Sequence, residues 1–341
     1  MCVLITGGGG YIGSHVVLAL AETQKQIVIV DSLENSSSSV ISRLRELVGD
    51  GVKIDFVRAD ICDGPALDRL FKEYDIKSVI HLAGYKSVAE SVEDPVKYYR
   101  NNFSGTLSLL SAMRRASIFN LVFSSSATVY GDTAISPISE AAPLNPVNPY
   151  GRSKAFVEFM LQDVSVSDPR WAIGVLRYFN PVGAHFSGRI GEDPLGVPNN
   201  LVPFISRVAV GRLEELSIWG ADYPTPDGTG VRDYVHVMDL AEGHLAALEY
   251  IYGRPGFHTW NLGAGIGYSV LEVIRAFEQA SGCEIRYRVC ARRPGDIAQS
   301  WADTTKANSE LQWKARAGLY QMMKDTWNWQ GRNPDGYEQS R

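Results

Sequence analysis

A tyrosine and a lysine one helical turn apart are the first residues here that could carry chemistry. Tyr150 and Lys154 have the i, i+4 spacing that places two side chains on one face of a helix. A free tyrosine has a pKa of about 10, and a neighbouring ammonium favours the phenolate, so we expect the pKa of Tyr150 to be lowered. Such a phenolate could take the proton of a hydroxyl group while a hydride leaves the same carbon. A chance pair on a helix surface is the alternative.

Ser126 is the third candidate, because it follows the apolar run at residues 120–124. A hydroxyl at the end of a strand could hydrogen-bond the same substrate oxygen as Tyr150. The alternatives are a serine that only caps the strand and the nucleophile of a Ser-His-Asp hydrolase. The G-x-S-x-G elbow of such hydrolases is absent from the sequence, which argues against the hydrolase.

A dinucleotide would supply the hydride chemistry, and the N-terminal sequence is typical of a site for one. An apolar run ends at Thr6, and Gly7, Gly10 and Gly13 then precede a helical pattern. Glycines allow a tight turn whose N–H groups face a pyrophosphate at the helix N-terminus. Asp31 ends the next apolar run, where a carboxylate can accept both ribose hydroxyls and would repel a 2′-phosphate. NAD is therefore favoured over NADP.

The elements that must position these residues alternate between strand and helix. That alternation predicts an α/β fold with a doubly wound parallel Rossmann sheet, whose ligands bind beyond the carboxyl ends of its strands. The predicted strands cover residues 1–6, 27–30, 54–57, 79–83, 120–124 and 171–180, and the helices 14–21, 40–48, 65–74, 95–116 and 150–162.

Beyond residue 180 the pattern changes to glycine, proline, aspartate and asparagine with few periodic runs. This predicts a smaller, irregular α/β substrate-binding lobe. We expect residues 1–180 to form the NAD-binding domain and residues 181–341 to form mainly the second lobe. A segment of about 235–265 is expected to return to the first domain.

Composition excludes several classes of protein. The 341 residues are 45% hydrophobic and 21% charged, as in a globular protein, and the net charge of −5 argues against a nucleic-acid partner. The apolar runs are too short to span a membrane, and no signal peptide is recognisable. Four cysteines without C-x-x-C or histidine spacing indicate reduced thiols in a cytoplasmic protein and no metal site.

Several longer sequence motifs resemble those of a known protein family. Thr6–Gly13 (TGGGGYIG), Ser124–Gly131 (SSSATVYG) and Tyr150–Lys154 (YGRSK) resemble the extended short-chain dehydrogenase/reductase family. The similarity is greatest to its UDP-sugar 4-epimerases and extends over nearly the whole chain, through Leu176–Ala184, Gly191–Asn200, Asp227–Leu240, Asn261–Ala264 and Arg292–Asp296. It implies that UDP-glucose and UDP-galactose are interconverted through a 4-keto sugar, with NAD tightly bound, in a homodimer formed by residues 95–116 and 150–162.

The resemblance also implies roles for individual residues. Tyr150 would be the base, Lys154 its partner and Ser126 the hydroxyl relay. NAD would contact residues at the strand ends, namely Gly7, Gly10, Tyr11, Ile12, Gly13, Asp31, Asn35, Ser36, Asp60, Ile61, Leu82, Ala83, Gly84, Lys86, Asn101 and Phe179. The UDP-sugar would contact Lys86, Asn180, Asn200, Leu201, Ser217, Ile218, Trp219, Arg232, Arg293, Asp296 and Ser300. Guanidinium groups at 232 and 293 suit a diphosphate.

Two departures from the family pattern bear on function. Tyr85 stands where the resemblance leads us to expect leucine, and the sequence gives no account of it. Ser300 stands where bacterial relatives commonly have tyrosine, and a small residue there goes with tolerance of N-acetylated sugars. UDP-GlcNAc and UDP-GalNAc are therefore candidate substrates.

Other functions stay open at this point. The enzyme could act on another UDP-sugar, such as UDP-xylose or a uronic acid. It could be a net dehydrogenase that exchanges NAD, or a non-catalytic NAD-binding regulator on the same fold. A 4,6-dehydratase is disfavoured because Ala127 and Thr128 follow Ser126, with no acidic residue beside it.

Overall fold

The computed structural model describes residues 2–132, 135–194, 198, 200–293 and 296–337. The strands are, in chain order, β1 (Cys2–Thr6), β2 (Gln26–Asp31), β3 (Lys53–Arg58), β4 (Ile76–His81), β5 (Asn120–Ser126), β6 (Ala172–Tyr178), β7 (Asn180–Val182), β8 (Leu216–Trp219), β9 (Val231–His236), β10 (Gly256–Leu262), β11 (Gly267–Ser269), β12 (Tyr287–Cys290) and β13 (Gln299–Ser300).

The helices connect these strands as the sequence pattern predicts. They are α1 (Tyr11–Ala21), α2 (Ser38–Val48), α3 (Gly64–Glu73), α4 (Val88–Glu93), α5 (Pro95–Tyr98), α6 (Gly105–Arg115), α7 (Pro149–Ser167), α8 (Leu201–Ala209), α9 (Val237–Ile251), α10 (Val270–Ser281), α11 (Thr305–Leu311) and α12 (Leu319–Arg332). In the described part of the chain, no helix combines the length and apolar character needed to cross a bilayer.

Seven parallel strands form the central sheet, in the order β10-β6-β5-β4-β1-β2-β3. Side chains alternate between its faces, so Ile5 and Ile29 pack with α1, α2 and α9, whereas Leu4 and Val28 pack with α3, α6 and α7. Helices therefore cover both faces, and the predicted doubly wound Rossmann sheet is confirmed.

The smaller lobe has its own core, formed by α8, α10 and α12 packed against β8 and β9. Strand β9 pairs with β7, β11 and β13, and β8 pairs with β12. The strand β10 from this later part of the chain joins the edge of the central sheet beside β6. The division into domains at residue 180 stays a prediction.

Two predicted elements are corrected. The strand predicted over residues 171–180 ends at Tyr178, because the chain then leaves β10 and pairs with β9 as β7 from Asn180 onward. The helix predicted over residues 95–116 is interrupted: α5 continues as the π-helical segment Tyr99–Ser104 before α6 begins. Single π turns are uncommon and occur often at functional sites.

Candidate active site

A cavity of about 550 Å³ opens at the carboxyl ends of the central strands. Its wall takes residues from the turns after β1, β2, β4 and β5 and from the smaller lobe. This is the position at which ligands bind to open α/β sheets. All residues predicted for catalysis and for the dinucleotide line it, and so do Asn180, Asn200, Arg232, Arg293, Asp296 and Ser300.

The glycine turn after β1 has no room for side chains. Gly7 has a φ of +72° and donates its N–H to the Val30 carbonyl (2.7 Å). A Cβ at Gly7 would lie 2.7 Å from the Ala83 nitrogen, and one at Gly13 would lie 2.1 Å from the Gly7 oxygen. Gly10 precedes α1 without a side-chain cap, so the first N–H groups of the helix stay available to an anion.

The Asp31 carboxylate is fixed at the edge of this turn. Its Oδ2 accepts a hydrogen bond from Gly9 N (3.0 Å), and its Oδ1 accepts from Leu33 N and from the Ser36 hydroxyl (both 2.9 Å). A carboxylate has about four acceptor positions, so one remains for a ribose hydroxyl. Lining residues Asn35, Asp60 and Ile61 extend the same wall.

The turn after β4 closes the opposite side of the glycine turn. Leu82 N donates to the Thr6 carbonyl (3.1 Å), which ties this turn to β1, and Ala83 and Gly84 follow along the wall. Lys86 donates to the Glu192 carboxylate (2.9 Å), which also lines the cavity.

The π-helical segment contributes two adjacent asparagines with different tasks. Asn102 is buried and hydrogen-bonds both the N–H and the carbonyl of Tyr85 (2.8 and 3.1 Å), as well as the Ser153 hydroxyl (3.0 Å). Asn101 lines the cavity, and its buried Oδ1 has no hydrogen-bond partner among the described residues. Unpaired buried acceptors are rare in proteins. This oxygen and the glycine turn without side chains both fit a bound dinucleotide.

Helix α7 carries Tyr150 and Lys154, the pair predicted to be catalytic. Asn148 caps it by accepting a hydrogen bond from Gly151 N (2.8 Å), and Pro149 occupies the first turn. Lys154, only 5% exposed, donates to the Ser124 carbonyl (2.7 Å). Burial lowers the pKa of Lys154 to about 8, an effect that Glu158 opposes.

The expected pKa of Tyr150 is wrong for the protein without its cofactor. Burial raises the pKa of the phenol, and a hydrogen bond with Ser126 opposes that rise only in part. The Lys154 ammonium is directed at the Ser124 carbonyl instead. Burial therefore favours the neutral phenol of Tyr150 in the protein without its cofactor.

Several supporting residues escaped the sequence analysis. Thr128 donates to the Ser126 oxygen through both its N–H (3.2 Å) and its hydroxyl (2.9 Å), which orients that serine. Glu158, buried, forms an ion pair with Arg177 (2.6 Å) and accepts a hydrogen bond from Ser125. Its place one turn after Lys154, on the same helix face, was the signal available in the sequence.

The residues predicted to contact the UDP-sugar divide into a group that lines the cavity and a group that does not. Arg232 on β9 donates to the Val231 carbonyl (2.9 Å), and burial lowers its pKa. Arg293 pairs with Asp296 (2.9 Å), and Ser300 on β13 is the register partner of Arg232. Seven of the residues predicted for the UDP-sugar line the cavity, namely Lys86, Asn180, Asn200, Arg232, Arg293, Asp296 and Ser300.

Four of the predicted residues do not lie on this wall: Leu201, Ser217, Ile218 and Trp219. Ile218 is 1% exposed and lies within the core of the smaller lobe. Trp219 is exposed, and the Arg293 guanidinium lies 5.8 Å from its ring centroid. Residues 195–197 and 199 of the string Gly191–Asn200, and residues 294 and 295 of Arg292–Asp296, lie outside the described residues.

Comparisons with known proteins give a consistent result. The family model described as GDP-mannose 4,6 dehydratase matches residues 4–326. The UDP-glucose 4-epimerases of Bacillus subtilis and Neisseria gonorrhoeae are 52% and 55% identical over 338 residues, with 99% of each chain covered.

Solved structures agree with these relatives. The UDP-glucose 4-epimerase of Bifidobacterium longum, in complex with NAD+ and UDP, has a TM-score of 0.95 at 48% identity and covers 98% of this chain and 100% of its own. The UDP-Glc/GlcNAc 4-epimerase of Campylobacter jejuni has a TM-score of 0.84 at 34% identity and covers 97% and 99%.

Proposed function

The chain belongs to the UDP-glucose 4-epimerases of the extended short-chain dehydrogenase/reductase family, within the family that the GDP-mannose 4,6 dehydratase model describes, and on this premise we propose how it acts. It interconverts UDP-glucose and UDP-galactose by inverting the sugar at C4, with NAD as a retained cofactor. The observation that carries the proposal is one cavity lined by the glycine turn, Asp31, Tyr150, Lys154 and Arg232.

Tyr150 takes the proton of the sugar 4-hydroxyl and returns it after the sugar has turned. Bound NAD would accept and return the hydride at C4, and its positively charged ring would favour the Tyr150 phenolate that burial disfavours. Ser126, oriented by Thr128, hydrogen-bonds the same oxygen. Lys154 would hold ribose hydroxyls of the cofactor from beneath Tyr150.

The 4-keto sugar must present its other face before it is reduced. The sugar must therefore be able to rotate within the cavity, whereas the nucleotide can stay fixed. Arg232 and Arg293 supply charge for the diphosphate, and Asn180 and Asn200 lie on the same wall. Strong contacts to UDP beside weak contacts to the sugar permit this rotation.

Elimination of water, the reaction for which the family model is named, is not favoured. It needs an acid and a base beside the central hydroxyl residue, and here Thr128 donates both of its hydrogen bonds to Ser126. No carboxylate stands at residues 127 or 128. A regulator without activity has no need of Ser126, Tyr150 and Lys154 together.

The direct test is an assay of the purified protein with UDP-galactose and no added NAD, with the C4 epimers resolved by NMR. We expect UDP-glucose to form and NADH not to accumulate, and we expect Tyr150→Phe to lower the rate by about 1,000-fold. Steady release of NADH with added NAD would identify a dehydrogenase instead. Absence of turnover with NAD supplied would contradict the proposal.

The N-acetylated sugars are the second candidate substrates, and Ser300 favours them. Its small side chain lines the cavity on β13, beside Arg232. We expect UDP-GlcNAc and UDP-GalNAc to be interconverted, and Ser300→Tyr to suppress that reaction while sparing UDP-galactose. Equal loss of both activities would contradict a role for Ser300 in size selection.

We also propose a homodimer formed by the helices around the π-helical segment and by α7. Val96 is 73% exposed and Phe159 50% exposed, and Phe156 stacks on Tyr99 at 5.9 Å on the same surface. Such apolar exposure is typical of an interface. Phe159→Glu should shift the protein toward monomers in sedimentation velocity, and an unchanged sedimentation coefficient would argue against this surface.

The cytoplasm is the proposed compartment. All four cysteines are free thiols, which suits a reducing environment. Fractionation of cells that express the tagged protein would test this.

A further inference from the structure

Tyr85, the departure that the sequence left unexplained, reaches across the cavity to a residue of another turn. Its hydroxyl donates a 2.5 Å hydrogen bond to Oε2 of Glu34. Tyr85 follows β4 and Glu34 follows β2, and these strands flank β1 in the sheet. Both residues line the same cavity as the glycine turn. The bond therefore spans the carboxyl end of β1, where the glycine turn lies.

The Tyr85 end of this bridge is firmly held. Asn102 hydrogen-bonds the backbone N–H and carbonyl of Tyr85, so the tyrosine cannot shift along the turn. The Lys97 ammonium lies 4.3 Å from the centroid of the Tyr85 ring, and the buried Tyr98 ring lies 5.5 Å away. Burial and the Glu34 carboxylate raise the pKa of Tyr85, so its hydroxyl keeps the proton that it donates.

The Glu34 end is positioned by an unusual turn. Leu33 has a φ of +60°, a left-handed conformation that costs energy for a residue with a side chain, and its N–H donates to Asp31. The Glu34 side chain is 55% exposed, and its other oxygen lies 3.9 Å from Lys97. One side of the bridge therefore faces solvent, as expected at the mouth of the cavity.

We propose that Tyr85 and Glu34 form a bridge across the mouth of the dinucleotide cavity that slows the release of NAD. A dinucleotide on the glycine turn would lie beneath the bridge, and the hydrogen bond must open before it can leave. The inference rests on the proposed function, because a retained cofactor is what a catalyst that oxidises and then reduces the same sugar requires.

The test compares NAD dissociation from holoenzyme variants rather than activity. Protein loaded with NAD is diluted, protein and free nucleotide are separated at intervals by gel filtration, and bound NAD is quantified after acid release. Tyr85→Phe keeps the ring and removes the donor, and we expect it to raise the dissociation rate about fivefold, the effect of one partly exposed hydrogen bond to a charged group. Glu34→Ala should have a similar effect.

The double variant identifies the bridge itself. If the two residues act through their mutual bond, Tyr85→Phe combined with Glu34→Ala should release NAD no faster than either single variant. Tyr252→Phe, which changes an exposed tyrosine outside the cavity, is the matched control and should release NAD as the unaltered protein does.

Two outcomes would overturn the inference. Dissociation rates of both single variants within twofold of the unaltered protein would show that the bridge does not limit release. Fully additive effects would show that the two residues act separately. An unaltered protein that binds no NAD would instead contradict the proposed function, so the two failures are distinguishable.

Discussion

The half of the cavity proposed to bind the dinucleotide and the half proposed to bind the sugar nucleotide are built on different principles. In the first, the wall is formed by turns that follow the neighbouring strands β1, β2 and β4, and main-chain hydrogen bonds fix them. In the second, residues come from β7, β9, β13 and the chain around Asn200 and Arg293, which are far apart in sequence. The first half is a local product of short sequences, and the second depends on how the smaller lobe packs.

One charged residue of each half, Asp31 and Arg293, is held in a different way. Asp31 accepts three hydrogen bonds from within its own turn and from the glycine turn. Arg293 has a side chain that is 57% exposed and is paired with Asp296, three residues along the chain. A rigid, preorganised carboxylate suits a cofactor that stays, whereas an exposed arginine with a replaceable partner suits a substrate that enters and leaves.

The largest effect is expected from a substitution in the glycine turn, which belongs to the half proposed for the dinucleotide. Gly13→Ala would place a methyl group 2.1 Å from the Gly7 oxygen, so the turn must open. We expect the affinity for NAD to fall by about 100-fold and the melting temperature of the protein to drop. Isothermal titration and thermal unfolding would measure these. Gly51→Ala, where a Cβ would have no neighbour within 4 Å, is the control, and equal effects at both positions would refute the steric argument.

A smaller effect is expected in the other half. Arg232→Ala removes a desolvated guanidinium from the cavity and should raise the KM for UDP-galactose about 30-fold, with little change in kcat and in NAD retention. Steady-state kinetics and NAD content would separate these quantities. Arg316→Ala, whose side chain is 77% exposed outside the cavity, should change neither. Loss of bound NAD in Arg232→Ala would mean that the halves are not independent.

The last expected effect is on stability and concerns the junction of the halves. The pKa of Lys154 is about 8 in the folded protein because burial disfavours the ammonium, against about 10.4 in an unfolded chain. Between these values the unfolded chain binds more protons, so the contribution of Lys154 to the free energy of unfolding rises with pH, by at most about 1.4 kcal/mol per pH unit.

The free energy of unfolding is measured with denaturant at several pH values for the cofactor-free protein and for Lys154→Met. The difference between the two at each pH gives the contribution of Lys154. The unaltered protein should gain stability relative to the variant from about pH 8 to about pH 10. A constant difference across that range would place the ammonium in a better solvated position than its burial indicates.

The contrast between a half formed by local turns and a half that depends on packing of the smaller lobe also explains which features the sequence could predict. The glycine turn, Asp31 and the pair Tyr150 and Lys154 are visible because each is a local pattern on a strand end or a helix face. The parallel, doubly wound character of the central sheet follows from the alternation of strands and helices. These features need no knowledge of distant contacts.

Other features depend on contacts that no local pattern encodes. The family resemblance implies a binding role for Ile218, yet this residue lies in the core of the smaller lobe, because β8 packs against α8 and pairs with β12 rather than lining the cavity. The π-helical segment has no propensity signal, and it appears where Asn102 must reach Tyr85. The lowered pKa expected for Tyr150 was wrong for the protein without its cofactor, because burial of the phenol raises its pKa and the hydrogen bond with Ser126 opposes that rise only in part.

The adjacent residues Arg232 and Asp233 on β9 limit how the range of substrates can change. Arg232 faces the cavity beside Ser300, while the next residue, Asp233, accepts hydrogen bonds from the N–H groups of Ala264, Gly265 and Ala302. Arg232, the proposed contact for the diphosphate, and Ser300, the proposed contact for the sugar, are thereby held at a constant spacing. Divergent evolution or laboratory selection for bulkier sugars would therefore proceed by trimming side chains such as that at residue 300, because sliding the strands apart would unfasten Asp233.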